Sequence, residues 1–298
     1  MSLPAGVFAA TLTPMQSDLQ VDHAALYAHC TGLIEQGGNG IALMGTTGEA
    51  NSLTLQERLE VLERLLASGF PATRLIVGTG CCAIGETVHL TRHATAAGVG
   101  GVLMLPPFYY KQVTDEGLYQ YFATVIESVG QPAPEIYLYH FPRMSGIHMS
   151  TDLVVQLVHD FPGIIVGMKD SSGDLTHMRE VMTALPRFRL YAGNEHFLLD
   201  VLELGGAGCI SATTNYRIDL AARVFRAWQA GGVPLGLAQQ MQQTRAAFEG
   251  YGFTAALKAI QARTSGQSWW NHLRPPLTPL SPADVDQIAN DLAAIEAA

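Results

Sequence analysis

Lys169 closes an apolar run, Ile164-Ile165-Val166-Gly167-Met168, and turn-forming residues Asp170-Ser171-Ser172-Gly173-Asp174 follow at once. The chain has only three lysines, Lys111, Lys169 and Lys258, among its 17 basic residues. A lysine ending an apolar strand is therefore poorly explained by solubility. Desolvation favours a neutral amine over an ammonium, and a neutral amine attacks a carbonyl to form a Schiff base. The plain alternative is a lysine whose stem lies on apolar surface while its head reaches water.

Other residues at the ends of apolar runs favour the nucleophile. Tyr139 nearly ends the run Ile136-Tyr137-Leu138-Tyr139-His140. If this run and that of Lys169 are adjacent strands, about 4.8 Å apart, their end residues meet. A phenol beside an imine can move protons to and from the substrate atoms next to it. Alone, a tyrosine here would be an ordinary half-buried, hydrogen-bonded side chain. The run ending in Met44 leads into Gly45-Thr46-Thr47-Gly48-Glu49. Its glycines let backbone N–H groups approach an anion, and Thr46 and Thr47 add hydroxyl donors. It is equally a helix-capping loop. An oxo acid needs both its carbonyl at an amine and its carboxylate among donors, so the two features together have a purpose that neither has alone.

Weaker candidates accompany them. Ser171, Ser172 and Asp174 either hydrogen-bond substrate hydroxyls or cap the next helix. Glu49 is a general base or a partner of a helix dipole. His89 and His93 are four apart on one helix, but no third ligand joins them and no cluster of histidine and carboxylate is evident at the strand ends. No metal is expected.

The elements that must position these residues are legible. Apolar runs begin near Val7, Ile41, Leu75, Val102, Ile136, Ile164, Phe188 and Cys209, about 20 to 35 residues apart, room for a strand, a helix and short loops. Eight such units predict a (β/α)₈ barrel, with catalytic groups on the loops after the strands. Glycine clusters at Gly37–Gly40, Gly98–Gly101 and Gly205–Gly208 lie after a helix and before a strand. That is where a helix ends through positive φ, and the reverse of a dinucleotide-binding fingerprint. Thr54 with Glu57 forms a capping box, and Thr114 and Thr151 open further helices. The barrel is expected over residues 1–230, and a C-terminal helical extension, packed on it and anchored by Trp269 and Trp270, over 231–298.

The set GTTGE (45–49), PPFYY (106–110), YHFP (139–142) and GMKDSSGD (167–174) resembles the dihydrodipicolinate synthase and N-acetylneuraminate lyase family of class I pyruvate-dependent aldolases. The resemblance extends from Thr11-Leu12-Thr13-Pro14 to Arg274-Pro275-Pro276-Leu277. It implies that Lys169 forms the imine with pyruvate and that Tyr139 donates and accepts protons. Thr46 and Thr47 hold the carboxylate, and Thr46 relays protons with Tyr109, or its neighbour Tyr110, reaching across a subunit interface. Gly193 and Ile210 line the pyruvate end of the pocket. A homo-oligomer, dimer or tetramer, is implied as well. The sequence departs from the synthases at two places. Arg143 directly follows Pro142, where the synthases place the carboxylate-binding arginine one residue later, at the position of Met144. His140 stands where they usually carry asparagine. KDSSGD is closer to members acting on 2-oxo-3-deoxy or hydroxy-oxo acids.

Composition bounds the remaining possibilities. A net charge of −9 with no basic run argues against nucleic acid or an anionic membrane as partner. Hydrophobic residues at 48% and charged residues at 14% suit a large core. No leader or membrane span is evident, so a cytoplasmic protein is expected, with Cys30, Cys81, Cys82 and Cys209 as reduced core residues. The expected activity is a Schiff-base lyase joining or separating pyruvate and an aldehyde, with no cofactor because the protonated imine is the electron sink. The alternatives are 4-hydroxy-tetrahydrodipicolinate synthase, a 2-oxo-3-deoxy acid dehydratase, and a non-enzymatic oxo-acid binder.

Overall fold

The eight apolar runs are strands: β1 (Gly6–Ala10), β2 (Gly40–Leu43), β3 (Leu75–Gly78), β4 (Gly101–Met104), β5 (Ile136–His140), β6 (Ile165–Asp170), β7 (Arg189–Ala192) and β8 (Gly208–Ser211). In this computed structural model, which describes residues 3–297, they close into a barrel in sequence order. β1–β2 and the successive pairs from β3 to β8 are parallel. Their residues are buried almost without alternation. That pattern belongs to strands covered on both faces.

A helix follows each strand: His23–Glu35, Leu55–Ala67, Ile84–Ala96, Asp115–Val129, Thr151–Asp160, Leu175–Ala184, Leu198–Glu203 and Thr214–Gln229. The glycine clusters act as expected: Gly37, Gly98 and Gly205 take φ of 105°, 72° and 83°. A side chain there would be strained. The capping box of Thr54 and Glu57 is formed, and Thr114 caps its helix through Gly117 N. Ser150, rather than Thr151, caps the helix Thr151–Asp160, its hydroxyl accepting from Leu153 N.

By contact density the chain forms two compact units. One comprises the described residues up to Ala5 with Pro71–Ile210 and carries β3 to β7 and most of β8. Its interior is filled by Tyr137 and Tyr191, both fully buried, with ring centroids 5.9 Å apart. Gly101 and Gly167 make room for Tyr137, because a Cβ on either would come within 2.7 Å of its ring.

The other unit comprises Gly6–Phe70 with the chain from Ser211 onward. Beyond Gln229 it adds three helices, Leu235–Ala246, Phe253–Ser265 and Pro282–Ala297. Phe248, Ala256, Leu257, Ile260, Trp270, Ile288 and Leu292 pack with Leu12 into one core cluster, with Trp269 partly buried against it. No helix among the described residues is long and apolar enough to cross a membrane. All four cysteines are unpaired, and Cys82 departs from the expectation of a core residue: it is exposed, in the loop before the helix Ile84–Ala96.

Candidate active site

β5 and β6 pair in register, Tyr139 opposite Lys169 and His140 opposite Asp170. Alternation sends each pair to one side of the sheet, so Tyr139 and Lys169 share a face and His140 and Asp170 share the other. The Lys169 amine donates to Tyr139 Oη at 3.3 Å and lies 4.5 Å from the centre of the same ring. Lys169 is 5% exposed and Tyr139 4%. A buried amine held against a phenol is arranged for imine chemistry with proton transfer alongside.

The turn after β6 packs against the chain leaving β7. Gly193 N, after β7, donates to the Asp170 carbonyl at 2.6 Å. A Cβ on Gly193 would lie 1.9 Å from Ser171 Oγ. Glycine is thus required where the KDSSGD turn crosses the end of β7. On β8, Ile210 is buried. The Cys209 thiol is pushed well up by burial and by the charge of Glu195, with Lys169 acting the other way. Glu195, whose charge acts on that thiol, is 3% exposed.

The sequence GTTGE forms a tight turn after β2: Gly48 N and Ala50 N donate to the Gly45 carbonyl, and Glu49 N to that of Thr46. Met44 and Glu49 take left-handed φ of 57° and 59°. Such strain at non-glycine residues persists only where the surroundings impose it. The Glu49 carboxylate imposes it here. Its Oε1 is 2.5 Å from Lys258 Nζ and its Oε2 accepts from Arg274 N at 2.9 Å. Lys258 also donates to the His272 carbonyl at 2.8 Å. Thr13 Oγ1 donates to the Gly48 carbonyl at 2.7 Å, and Thr254 Oγ1 reaches that of Thr47 at 3.5 Å. Glu49 is thus neither a base at the turn's surface nor a helix-dipole partner. It is the buried bond between the turn and the C-terminal extension.

Other candidates are resolved by their surroundings. Asp174 caps the helix Leu175–Ala184, its carboxylate accepting from Thr176 N and His177 N. Ser172 donates through N and Oγ to Asp170 Oδ1. Tyr109 and Tyr110 are 74% and 75% exposed and pack edge to face. Arg143 is exposed in the one-turn helix Pro142–Ser145. The structure leaves these three side chains outside the Lys169–Tyr139 contact. His140 is fully buried on the face opposite Tyr139, stacked on His177 with centroids 4.5 Å apart.

The expectation that no histidine and carboxylate cluster stands at the strand ends is corrected here. His140, Asp170 and His177 bring donor atoms within 4.8 Å of one another, all buried. Hydrogen bonding already engages the set. His177 Nδ1 is 2.7 Å from Asp170 Oδ2, and His140 Nδ1 accepts from Met149 N at 3.3 Å. Ligands to one ion at the usual metal–ligand distances near 2.0–2.1 Å sit farther apart than that first pair. The signal was present in sequence: the residue after a strand-end lysine must face the helices, and His177 lies seven residues on.

With this geometry in place, comparison with known proteins is informative. Residues 3–295 match the Dihydrodipicolinate synthetase family. A DapA-like lyase of Chloroflexus aurantiacus is 33% identical over 96% of this chain and 95% of its own. A 4-hydroxy-tetrahydrodipicolinate synthase of Acidiphilium cryptum is 35% identical over 79% of each chain. The structure of YagE, a prophage protein of the dihydrodipicolinic acid synthase family from E. coli K12 in complex with pyruvate, superposes with a TM-score of 0.91 at 27% identity, covering 99% of both chains. The chain belongs to the dihydrodipicolinate synthetase family of pyruvate-dependent class I lyases and aldolases.

Proposed function

We propose that Lys169 attacks the carbonyl of pyruvate, or of the pyruvate portion of a longer 2-oxo acid, and that the resulting imine makes or cleaves a carbon–carbon bond to an aldehyde. The observation that carries this is the buried lysine amine 3.3 Å from the Tyr139 hydroxyl. In the synthetic direction the amine adds to C2 and water leaves. Loss of a C3 proton gives the enamine, C3 attacks the aldehyde carbonyl, and the alkoxide takes its proton from Tyr139. Water then releases the product and regenerates the amine. In the cleavage direction Tyr139, as phenolate, removes the proton from the substrate hydroxyl.

Thr46 and Thr47 hold the substrate carboxylate in this reading, with the tight turn that presents them as its support. Loops after the strands of a parallel barrel form the catalytic rim. Gly193 and Ile210 shape the pyruvate end. Tyr109, highly exposed, reaches a second copy of the chain in a homo-oligomer and completes a proton relay with Thr46. The substrate is a 2-oxo-3-deoxy or hydroxy-oxo acid, because the turn after Lys169 offers the Ser171 hydroxyl and Arg143 sits one residue from the position suited to a second carboxylate. The test is a panel of such acids, assayed for pyruvate release with lactate dehydrogenase. Pyruvate from at least one acid by the wild type and none by Lys169→Ala supports the reading. Release from none of them, with turnover of pyruvate and aspartate semialdehyde instead, moves it to the synthase reaction.

That second reading draws on the name of the Acidiphilium cryptum relative. In it Arg143 binds the semialdehyde carboxylate. Unchanged kinetics with aspartate semialdehyde in Arg143→Ala would remove it.

A further inference from the structure

Asp170 follows the lysine, so its side chain projects from the opposite face of β6, toward the helices. There it is 1% exposed. Its Oδ1 accepts from Ser172 N at 2.8 Å and Ser172 Oγ at 2.5 Å, while Oδ2 lies 2.7 Å from His177 Nδ1. The other ring nitrogen of His177, Nε2, lies 3.1 Å from the Met149 carbonyl. A carboxylate and a carbonyl can only accept, so both nitrogens of His177 must donate. An ionised Asp170, the form its lowered pKa favours, thus holds His177 as the imidazolium.

Burial draws the His177 pKa down, but the hydrogen bond and charge of Asp170 and the Met149 carbonyl outweigh it, and the net shift is upward. For Asp170, burial pushes up while His177, His140 and Ser172 pull further down, and the net shift is downward. His140 is different. Its Nδ1 accepts from Met149 N, which places its one proton on Nε2, and burial lowers its pKa to about 4. Neutral His140 stacks on charged His177 with rings inclined by 24°. The exposed His148 closes the group, its ring centre 5.4 Å from that of His177. Asp174 acts on His177 and His140 from the head of His177's own helix. The packed helix Thr151–Asp160 carries its charges, Asp152, His159 and Asp160, on exposed positions.

We propose that His177 is a positioning residue for the Schiff-base lysine: its buried positive charge cancels that of Asp170, the lysine's neighbour in the strand, and so keeps the amine free to attack at neutral pH. This rests on the Schiff-base reading of Lys169. Without the imidazolium, an ionised Asp170 inside the barrel wall would favour the ammonium form of the adjacent lysine and delay imine formation to higher pH. Tyr139 also contacts Lys169, and the Cys209 thiol feels the charges of Lys169 and Glu195; none of these groups is touched by the change.

The experiment is borohydride trapping of pyruvate on Lys169 across pH 5 to 10, read by peptide mass, in wild type, His177→Gln and the double variant Asp170→Asn/His177→Gln. In His177→Gln the pH of half-maximal trapping is expected to rise by about one unit, the scale of one uncancelled charge nearby. The double variant, with neither charge, is expected to return to the wild-type midpoint. A purely structural role would lower yield without moving the midpoint, and would make the double variant no better than the single. An unmoved midpoint in folded His177→Gln overturns the proposal. If that variant does not fold, 15N-histidine NMR of the wild type decides. A doubly protonated ring persisting at pH 8, absent in Asp170→Asn, supports the charge pair, and a neutral ring at pH 7 overturns it. Wild type that is never trapped would remove the Schiff-base reading itself, which the wild-type curve distinguishes from failure of the variants.

Discussion

Lys258→Met tests whether the buried ion pair behind the GTTGE turn holds the turn in place. Lys258 is 1% exposed and Glu49 3%, and the amine makes two hydrogen bonds, to Glu49 at 2.5 Å and to the His272 carbonyl at 2.8 Å. Burial pulls the Lys258 pKa down, the charge and hydrogen bond of Glu49 oppose it, and the net shift is downward. Methionine matches the stem but strands a carboxylate whose remaining partner is Arg274 N, at 2.9 Å. Breaking a buried pair by removing one partner costs about 3–5 kcal/mol, because the charge left behind has no compensation. For a chain of 298 residues that is roughly a 10 °C fall in Tm. The double variant Glu49→Gln/Lys258→Met removes both charges, while the amide oxygen of the new glutamine still accepts from Arg274 N. It should recover at least about 2 kcal/mol relative to the sum of the single losses. Urea unfolding at pH 7.5 measures all three. A single variant that loses less than about 1 kcal/mol, or single losses that simply add, would refute the reasoning.

Other perturbations give sharp outcomes. Tyr139→Phe should lower kcat about 10²- to 10⁴-fold while leaving borohydride-trappable imine, since it removes a proton carrier and not the nucleophile; loss of trapping equal to that of Lys169→Ala would contradict its role. Gly193→Ala places a Cβ 1.9 Å from Ser171 Oγ and must displace the KDSSGD turn, so kcat/KM for the 2-oxo acid should fall at least about tenfold, a loss of about 1.4 kcal/mol in transition-state binding; unchanged kinetics would show the turn to be slack. Stability should decline as pH falls from about 6.5 toward 4, because burial lowers His29 and His140 each to about 4. The unfolded chain then binds protons that the folded chain does not, at a cost of order 3 kcal/mol per histidine. His177 has the opposite sign: its raised pKa contributes stability in full below the unfolded value and loses it as pH rises through the folded value. A flat urea midpoint between pH 7 and 4.5 would contradict this assignment.

The barrel was legible because its signals are local: each apolar run, each post-helical glycine and the capping box at Thr54 concern a few consecutive residues. Lys169 and Tyr139 were legible for a related reason, since sequential strands in a parallel barrel are neighbours and the two residues occupy matching ends. Glu49 was misread because its partner Lys258 lies 209 positions away, and no local pattern distinguishes a lysine that pairs a buried carboxylate from one that attacks a carbonyl. The His177–Asp170 pair is separated by only seven positions, yet Asp170 reads as one of several turn-forming residues unless its strand face is followed outward. Arg143 depended on loop geometry, which neither spacing nor composition specifies, whereas the facing of His140 follows from alternation along its strand as that of Asp170 does. Cys82 sits next to a buried cysteine yet is exposed, one residue before the cap of the helix Ile84–Ala96.

The most direct test of Lys169 as the nucleophile is borohydride reduction of the intact protein with pyruvate, followed by intact-mass and peptide mapping, with Lys169→Ala as control. A single reduced pyruvyl adduct mapped to Lys169 and lost in Lys169→Ala is the expected result. Folded protein that binds pyruvate yet gains no adduct, or gains it equally at Lys258 or Lys111, would contradict the Schiff-base mechanism.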